Sequence, residues 1–398
     1  GLNTGWGNHT GGNNTYIGAG AGTGAEDSAN SNNVGIGKDA LLDITSGGDN
    51  VAIGADCLES LTTGGQNVAI GRLCFDAADG TESENVVIGH AAMGAVDEGV
   101  SGAADANVVI GYGAGAGGAT ALFSQNVAIG AYAFDGSGTE SVDQVVAIGY
   151  GALGGAVENE VTGTIAIGHS ALTAITTGAG NVAVGYQSLD ANTTSNYNTA
   201  VGYQALSGLT TGSDSNTAVG YQAGLAIDGG EYNTVMGQGA GISLTTGDYN
   251  TIIGRRAGAL LTTSSKNTLL GYVAGDAILA DQATTDGTVA VGHASLSALT
   301  NGAGNTAVGY ESGVLLTTGE RNTILGFGAL DAGTTESDDN VAIGYNSMGG
   351  AIGTEVVNDC VAIGSGTLAG AAENEVTGTV AIGAIVLPSL TTGAGNVA

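Results

Sequence analysis

The sequence predicts an all-β protein, a parallel β-solenoid (β-roll) of about 21 short rungs, and two observations support this fold class. Glycine occupies 75 of 398 positions and proline one, without the every-third-residue glycine that collagen requires. A short motif also recurs along the whole chain, as in Asn50 to Gly54 (NVAIG) and Asn67 to Gly71 (NVAIG). No stretch of helical length has apolar side chains at a 3.6-residue period.

The repeat ends on a glycine, here called the repeat glycine, that occurs 21 times at intervals of 17 to 22 residues. Its positions are 18, 37, 54, 71, 89, 111, 130, 149, 168, 185, 202, 220, 237, 254, 271, 292, 309, 326, 344, 364 and 383. We therefore expect a single continuous repeat domain over residues 1–398, which would be a segment of a longer fibre. Residues 1–12 look like an irregular start, and the last repeat, beginning at Asn396, is truncated.

The three residues before the repeat glycine predict a β-strand that is apolar on both faces. The first is Val, Thr or Ile and the third is Ile, Val, Leu or Met, which are strand formers on one face. The residue between them is Ala in 13 copies and apolar or small in the others. We expect one face to fill the core and the small Ala row to face outward against sister chains. This row predicts a homotrimeric rod, possibly joined end to end into a filament.

Asparagine and glycine mark the two ends of this strand. Glycine takes positive φ freely, so a bend is expected after the strand, followed by a second short strand and a Leu-Thr-Thr-Gly turn. Asparagine opens 16 of the 21 copies, and stacked Asn amides can form hydrogen bonds from rung to rung, with rungs about 4.8 Å apart. The structural anchors are Asn50, Gly54, Asn67, Gly71, Asn181, Gly185, Asn198, Gly202, Asn216 and Gly220.

The charge balance excludes several partners. Six Lys and Arg residues against 37 Asp and Glu give a net charge of −31, which repels phosphate backbones and anionic lipid headgroups. From this charge we expect no nucleic acid partner. We also expect no membrane insertion, because no apolar run approaches the roughly 20 residues of a membrane helix. The acid clusters at 76–84 and 336–339 could bind calcium or could be solvated loops that repel other molecules.

Aromatic and histidine side chains recur directly after the repeat glycine. His90, His169 and His293 lie there, several rungs apart, so one chain cannot gather them around a metal ion. A three-fold axis could gather three copies of one histidine, so a metal ring and a plain outward column both stay open. Eight tyrosines share this column: Tyr112, Tyr150, Tyr186, Tyr203, Tyr221, Tyr272, Tyr310 and Tyr345. The run Tyr186, Tyr203 and Tyr221 predicts a ladder that either contacts a sugar ligand or only stacks between rungs.

No arrangement of side chains typical of an active site stands out from the repeat, so we expect no enzyme, no catalytic residue and no cofactor. Cys57 and Cys74 occupy the same small-residue column in adjacent rungs, which indicates core packing, with a disulfide as the alternative. Thr-Thr pairs such as 62–63 and 317–318 raise ice binding as a minor alternative, although long insertions interrupt them.

Two families share these motifs. The Val-Ala-Ile-Gly-x-x-Ala core at Val127 to Ala133 and Val146 to Ala152 resembles the head repeats of YadA-type trimeric autotransporter adhesins. The longer pattern from Gly202 to Gly220 is similar to repeats of phage tail-fibre proteins. The autotransporter resemblance implies an extracellular, adhesive trimer of β-rolls. Our hypothesis is therefore a non-catalytic shaft of an extracellular or virion fibre, with a glycan- or host-surface-binding module as the alternative.

Overall fold

The computed structural model describes residues 2–94, 104–117, 123–136, 142–155, 157, 161–278, 285–331, 336–350, 356–370, 376–390 and 393–398. The chain divides into two compact units, unit 1 (Gly1–Asn198) and unit 2 (Thr199–Ala398). Each unit is a parallel β-solenoid, and the described residues contain no helix. The predicted all-β solenoid is confirmed, and the same repeat builds both units.

The described part of unit 1 contains ten three-residue strands and two two-residue strands. The three-residue strands pair in parallel, each with the next along the chain, and the two shorter strands pair with each other. In chain order they are β1 (Thr15–Ile17), β2 (Val34–Ile36), β3 (Val51–Ile53), β4 (Val68–Ile70), β5 (Val86–Ile88), β6 (Val108–Ile110), β7 (Phe123–Ser124), β8 (Val127–Ile129), β9 (Val142–Asp143), β10 (Val146–Ile148), β11 (Ile165–Ile167) and β12 (Val182–Val184).

The described part of unit 2 repeats this arrangement with eleven three-residue strands and three two-residue strands. The short strands β22, β24 and β26 form their own parallel sheet. In chain order the strands are β13 (Thr199–Val201), β14 (Thr217–Val219), β15 (Thr234–Met236), β16 (Thr251–Ile253), β17 (Thr268–Leu270), β18 (Val289–Val291), β19 (Thr306–Val308), β20 (Thr323–Leu325), β21 (Val341–Ile343), β22 (Val357–Asn358), β23 (Val361–Ile363), β24 (Val376–Thr377), β25 (Val380–Ile382) and β26 (Gly393–Ala394).

Equivalent residues of successive repeats lie directly above one another. Between β3 and β4 the partners are Val51 with Val68 and Ala52 with Ala69, so each column of the sequence becomes a column in space. Before β1 the backbone also bonds to the following rung: the Gly5 N–H donates to the Ala21 carbonyl at 2.9 Å and the Gly7 N–H to the Thr23 carbonyl at 2.7 Å. No helix among the described residues is long and apolar enough to cross a bilayer.

The repeat glycine forms the bend that was expected from its presence in all 21 copies of the repeat. Gly54 has φ +143°, and a Cβ on it would lie 2.1 Å from the Gly71 carbonyl oxygen in the next rung. Both the backbone conformation and the close approach therefore require glycine at this column.

The residues after the repeat glycine form left-handed turns, so the predicted second short strand is wrong. After Gly54, Asp56 and Leu58 have φ of 58° and 48°, and the same two columns are positive in every repeat. Backbone hydrogen bonds nevertheless continue, from the Asp56 N–H to Lys38 O at 2.8 Å and from the Leu58 N–H to Cys74 O at 3.1 Å. Left-handed residues therefore alternate with residues of negative φ in this segment, where a second short strand was expected.

The Ala row faces inward, which contradicts our expectation that it faces sister chains. Ala52, Ala69 and Ala147 in unit 1 and Ala200 and Ala290 in unit 2 are fully buried within the single chain. The Val, Thr and Ile side chains on either side of each Ala point outward and are mostly half-buried. The Ala row therefore gives no support to a trimer, and the outward row of Val, Thr and Ile is the one that remains uncovered in the single chain.

The core is narrow, and its side chains are matched in size. Where the middle strand residue is Ala, the residue four after the repeat glycine is mostly a buried Leu, Phe or Met, as with Ala52 and Leu58. Where the middle residue is large, that position is mostly glycine, as with Leu269 and Gly275, and a Cβ on Gly275 would lie 2.9 Å from Leu269 Cδ2. This size matching explains why Ala suits the inward position.

Candidate functional site

In each unit the outward side of the strands forms a surface that we call the outer face. It consists of the first and third strand residues and the residue after each repeat glycine. None of these positions is Asp or Glu in any of the 21 copies, although the chain contains 37 acidic residues. The column after the glycine instead includes three of the six basic residues, Lys38, Arg72 and Arg255.

Buried asparagines form a ladder behind the outer face. In unit 1 the Asn50 Nδ2 donates to Asn33 Oδ1 at 3.1 Å, and Asn67 donates from both N and Nδ2 to Asn50 Oδ1 at 3.0 Å. Asn181 Oδ1 accepts from the Asn198 N–H at 3.0 Å. In unit 2 Asn216 begins the corresponding run, in which Asn233 donates to Asn216 Oδ1 at 3.0 Å. These asparagines therefore hold the rungs in register.

In unit 1 the column after the repeat glycine forms stacks of aromatic rings. His169 lies between Tyr150 and Tyr186, with ring centroids 5.1 and 5.3 Å apart. His90 stacks on Tyr112 at 5.3 Å. Because the rung spacing matches the distance between stacked rings, the repeat produces the ladder without further adjustment.

Unit 2 contains two separate runs in the same column. Tyr203 stacks on Tyr221 with centroids 5.3 Å apart and planes at 11°. The second run has centroid separations from 4.8 to 5.7 Å and comprises Tyr272, His293, Tyr310, Phe327 and Tyr345. Gln238 and Arg255 occupy the column between the runs. A third pair, Tyr232 and Tyr249, lies just before the Asn column and stacks at 5.1 Å.

Stacking determines which rings have a face available to a ligand. A ring inside a run, such as Tyr310 between His293 and Phe327, has both faces covered and presents only its edge. A sugar packs against a ring face, so the ends of runs are the positions suited to it. Of the three tyrosines predicted to contact a ligand, Tyr186 stacks on His169, Tyr203 stacks on Tyr221, and Tyr221 lies where the aromatic column is interrupted. Their ligand role stays a prediction.

The histidines are part of these stacks. Among the described residues, no group of three or more His, Cys, Asp or Glu side chains is arranged to hold a metal ion. His169 Nδ1 lies 2.9 Å from the Ser170 hydroxyl, and His293 lies between Tyr272 and Tyr310. Within one chain they act as aromatic rings of the column, and a metal ring formed by several chains stays a prediction.

The two adjacent cysteines lie in the core as thiols. Cys57 Sγ donates to the Ala69 carbonyl and Cys74 Sγ to the Val87 carbonyl, each at 3.3 Å. Hydrogen bonding with Cys74, together with burial, raises the pKa of the Cys57 thiol. A buried thiol with a raised pKa is a poor nucleophile, which favours packing over chemistry.

The acid clusters make contacts within the chain. In the first cluster Glu82 Oε2 accepts from the Gly80 N–H at 3.0 Å, and burial raises the pKa of Glu82. In the second, Asp339 forms hydrogen bonds of 2.8 and 2.9 Å with Arg321, which lower the pKa of Asp339. Calcium binding at these clusters stays a prediction.

The threonine pair 62–63 also bonds within the chain, because the Thr62 hydroxyl donates to Asp79 O and the Thr63 hydroxyl to Gly80 O, both at 3.1 Å. The pair 391–392 lies outside the described residues. These bonds occupy the hydroxyl protons that an ice surface would need, so ice binding stays a minor prediction.

No protein-family model matches the chain, and no curated protein matches it significantly. The candidate functional site is therefore inferred from the residues of the outer face alone.

Proposed function

We propose that the protein is a non-catalytic shaft of an extracellular or virion fibre, in which three copies associate through their outer faces. The observation that carries this proposal is the absence of acidic residues from the outer face of a chain with net charge −31. The resemblance to YadA-type head repeats and phage tail-fibre repeats supports both the trimer and the location outside the cell.

Exposed apolar side chains on the outer face support association between identical copies. Met236, Leu270, Leu325 and Ile382 are large apolar side chains on this face, and each is exposed in the single chain. A continuous apolar strip on a soluble protein is typical of an interaction surface. Because acidic side chains elsewhere repel one another, contact between copies is favoured where those side chains are missing.

A second candidate function is a surface-binding module that recognises carbohydrate. The observation that favours it is the exposed aromatic column. A ring at the end of a run, such as Tyr221, does not have both faces covered by other rings of the column, whereas a ring inside a run does. Aromatic faces beside polar groups are the usual platform for sugar rings.

Sedimentation of the full chain at neutral pH tests the shaft. We expect a species of three times the chain mass of 38.2 kDa. Leu325→Glu places a charge on the outer face, where the side chain is 47% exposed, and should shift the protein to smaller species because three charges would meet at the contact.

Leu315→Glu is the matched control, since Leu315 is also exposed, at 56%, but lies in a turn and is not one of the residues of the outer face. It should leave the sedimentation of the wild-type protein unchanged. A folded wild-type monomer at tens of micromolar, or equal effects of the two substitutions, would contradict the proposal.

A further inference from the structure

A cavity of about 300 Å³ opens in unit 2 where the aromatic column is interrupted. Tyr221 ends one run of rings and Tyr272 begins the next, and Gln238 and Arg255 occupy the two rungs between them. Small-molecule sites range from about 300 to 1,000 Å³, so this cavity suits a ligand of one or two sugar rings.

The walls of the cavity combine apolar and polar groups. Tyr221 and the apolar side chains of Ile242 and Leu260 form part of the lining, and Tyr221 is 48% exposed. Arg255 and Arg256 supply two of the six positive charges of the chain. An aromatic and aliphatic lining with a few placed polar groups is the usual composition of a binding site.

Arg255 is held in place by neutral partners. Its Nε donates to Gln238 Oε1 at 3.2 Å, its Nη1 donates to the Tyr272 hydroxyl at 3.3 Å, and its guanidinium lies 5.6 Å from the Tyr272 ring centre. Within the part of the chain that the structure describes, no carboxylate forms an ion pair with Arg255. Its charge therefore remains available to a ligand.

Two other arginines, Arg256 in the cavity lining and Arg321 outside it, form ion pairs with carboxylates. Arg256 pairs with Asp276 at 3.4 Å, and Arg321 pairs with Asp339 at 2.8 Å. Arg255 differs from these two arginines because an amide and a phenol, rather than a carboxylate, hold it beside the cavity.

We propose that this cavity binds a singly charged anionic sugar, with its carboxylate or sulfate on Arg255 and its ring against Tyr221. Arginine matches the planar geometry of such groups with two parallel hydrogen bonds, and the amides of Gln222 and Gln238 in the lining can reach sugar hydroxyls. A polyanion is disfavoured because the rest of the chain repels it, whereas one charge interacts mainly within a Debye length of about 8 Å.

This inference rests on the second candidate function, which it narrows to one cavity and one ligand class. Because Tyr221, Gln238 and Arg255 belong to the outer face, it requires that associated copies leave this part of the face uncovered. Binding is measured on the full chain by saturation-transfer NMR and calorimetry with methyl glucuronide, N-acetylglucosamine 6-sulfate and the neutral methyl glucoside. We expect at least one anionic sugar to bind about tenfold or more tightly than the glucoside. The two anionic probes separate a carboxylate from a sulfate as the preferred group.

Arg255→Gln should weaken the anionic sugar about tenfold or more, because it removes the charge and keeps an amide in the cavity. Arg321→Gln is the matched control: it changes the net charge equally at an arginine outside the cavity and should leave binding unchanged. Tyr221→Ala should weaken charged and neutral sugars alike. Circular dichroism and sedimentation check that each variant keeps the wild-type fold and mass.

Three outcomes would overturn the inference, and they differ in what they leave standing. Equal binding of glucoside and anionic sugars removes the role of Arg255 while carbohydrate recognition survives. Equal loss in Arg255→Gln and Arg321→Gln attributes binding to the overall charge instead of the cavity. No binding of any probe by the folded wild-type protein removes both the site and the support that the aromatic column lends to the second candidate function.

Discussion

Asn322 connects three successive rungs of unit 2 through one buried amide. It donates from N and Nδ2 to Asn305 Oδ1 at 3.0 and 2.9 Å and from Nδ2 to the Ser337 carbonyl at 2.7 Å. Its Oδ1 accepts from N and Nδ2 of Asn340 at 3.1 and 3.0 Å. Both ends of the side chain are satisfied, so its removal leaves buried partners on two sides.

Asn322→Ala should destabilise the protein by about 3 kcal/mol, because the Asn340 N–H and the Ser337 carbonyl lose their partner in a buried setting. Urea unfolding followed by circular dichroism measures the loss. Asn301→Ala, at an exposed asparagine of the same unit, should change stability by less than about 0.5 kcal/mol. A similar midpoint for the two variants would show that the amide ladder does not stabilise the rungs.

Single residues differ in how far the sequence predicts their role. Asn at a fixed column predicts an amide ladder because both donor and acceptor lie on one side chain. The cavity beside Arg255 was not predicted, since its walls come from residues 221–260, which are adjacent only after the chain has coiled. The signal was nevertheless present: two successive non-aromatic residues, Gln238 and Arg255, follow Tyr221 in an aromatic column.

Within a rung, Leu269 and Gly275 show how a strand and its following turn share the core. A Cβ on Gly275 would lie 2.9 Å from Leu269 Cδ2, and Gly275 has φ +58°. In the next rung the sizes are exchanged: the small residue, Ala290, lies in the strand, and the large residue, Leu296, lies in the turn at φ 49°. The two positions therefore exchange volume while the backbone stays the same.

Leu269→Ala should cost about 3 kcal/mol by leaving a cavity, and Gly275→Leu alone should also destabilise, because Leu269 already fills the space. The double variant reproduces the pairing of Ala290 with Leu296 and should recover about half of the loss or more. Thermal unfolding of all four proteins gives the coupling free energy. Additive effects of the two substitutions would show that these positions do not share one space.

The direction of the strand faces illustrates a limit of prediction at this scale. A period of two shows that a strand has two different faces but does not say which one lies inside. Ala was assigned outward because it is small, whereas the Leu, Phe or Met in the following turn makes a small inward residue necessary. Ala in the middle of the strand mostly occurs with Leu, Phe or Met four residues after the repeat glycine, and a large middle residue mostly occurs with Gly there. This pairing of sizes was the signal that the middle residue faces inward.

The left-handed turns carry a second such signal. Bulky residues with positive φ are uncommon, and the column of Leu58 has glycine instead at Gly258 and Gly275. A column shared by Leu and Gly indicates a position where the backbone is left-handed and the side chain, when there is one, enters the core.

Net charge is a property of the whole chain that makes its stability depend on pH. The net charge is −31, and burial raises the pKa of Asp76, Asp135 and Asp276. A carboxyl whose pKa is higher in the folded than in the unfolded protein stabilises the fold most below its unfolded value. That contribution is lost as the pH rises through the raised folded value.

The midpoint of thermal unfolding should therefore be higher at pH 5 than at pH 8. Asp76→Asn removes one half-buried charge and should raise the midpoint at pH 8 more than at pH 5, while Asp79→Asn, at an exposed carboxylate nearby, should not. In 1 M salt the general repulsion is screened, and the difference between the two variants should persist. A midpoint that falls from pH 8 to pH 5 would contradict this account.

At the scale of the whole molecule, the repeat was sufficient to predict a parallel solenoid. Columns such as Val51 with Val68 recur at a nearly constant spacing, and stacking is the way in which such short strands bury their residues. The association of copies could not be derived in the same way, because Leu325 and its neighbours on the outer face identify a surface and not the number of chains that cover it.

The Asn ladder also gives each stack of rungs a net electric dipole along the ladder. The backbone bonds between rungs alternate, with the Val51 N–H pointing to Asn67 and the Gly54 N–H pointing back to Ile36, so their dipoles largely cancel. The bonds from one side-chain amide to another all run the same way, since Asn50 donates to Asn33 and Asn67 to Asn50, while the second N–H of each amide donates to a backbone carbonyl of the following rung. The Oδ1 atoms therefore all face the following rung. The moments of the side-chain amides add, so a cation is favoured beyond the oxygen end of the ladder and an anion beyond the nitrogen end, although the fold repeats identically between them.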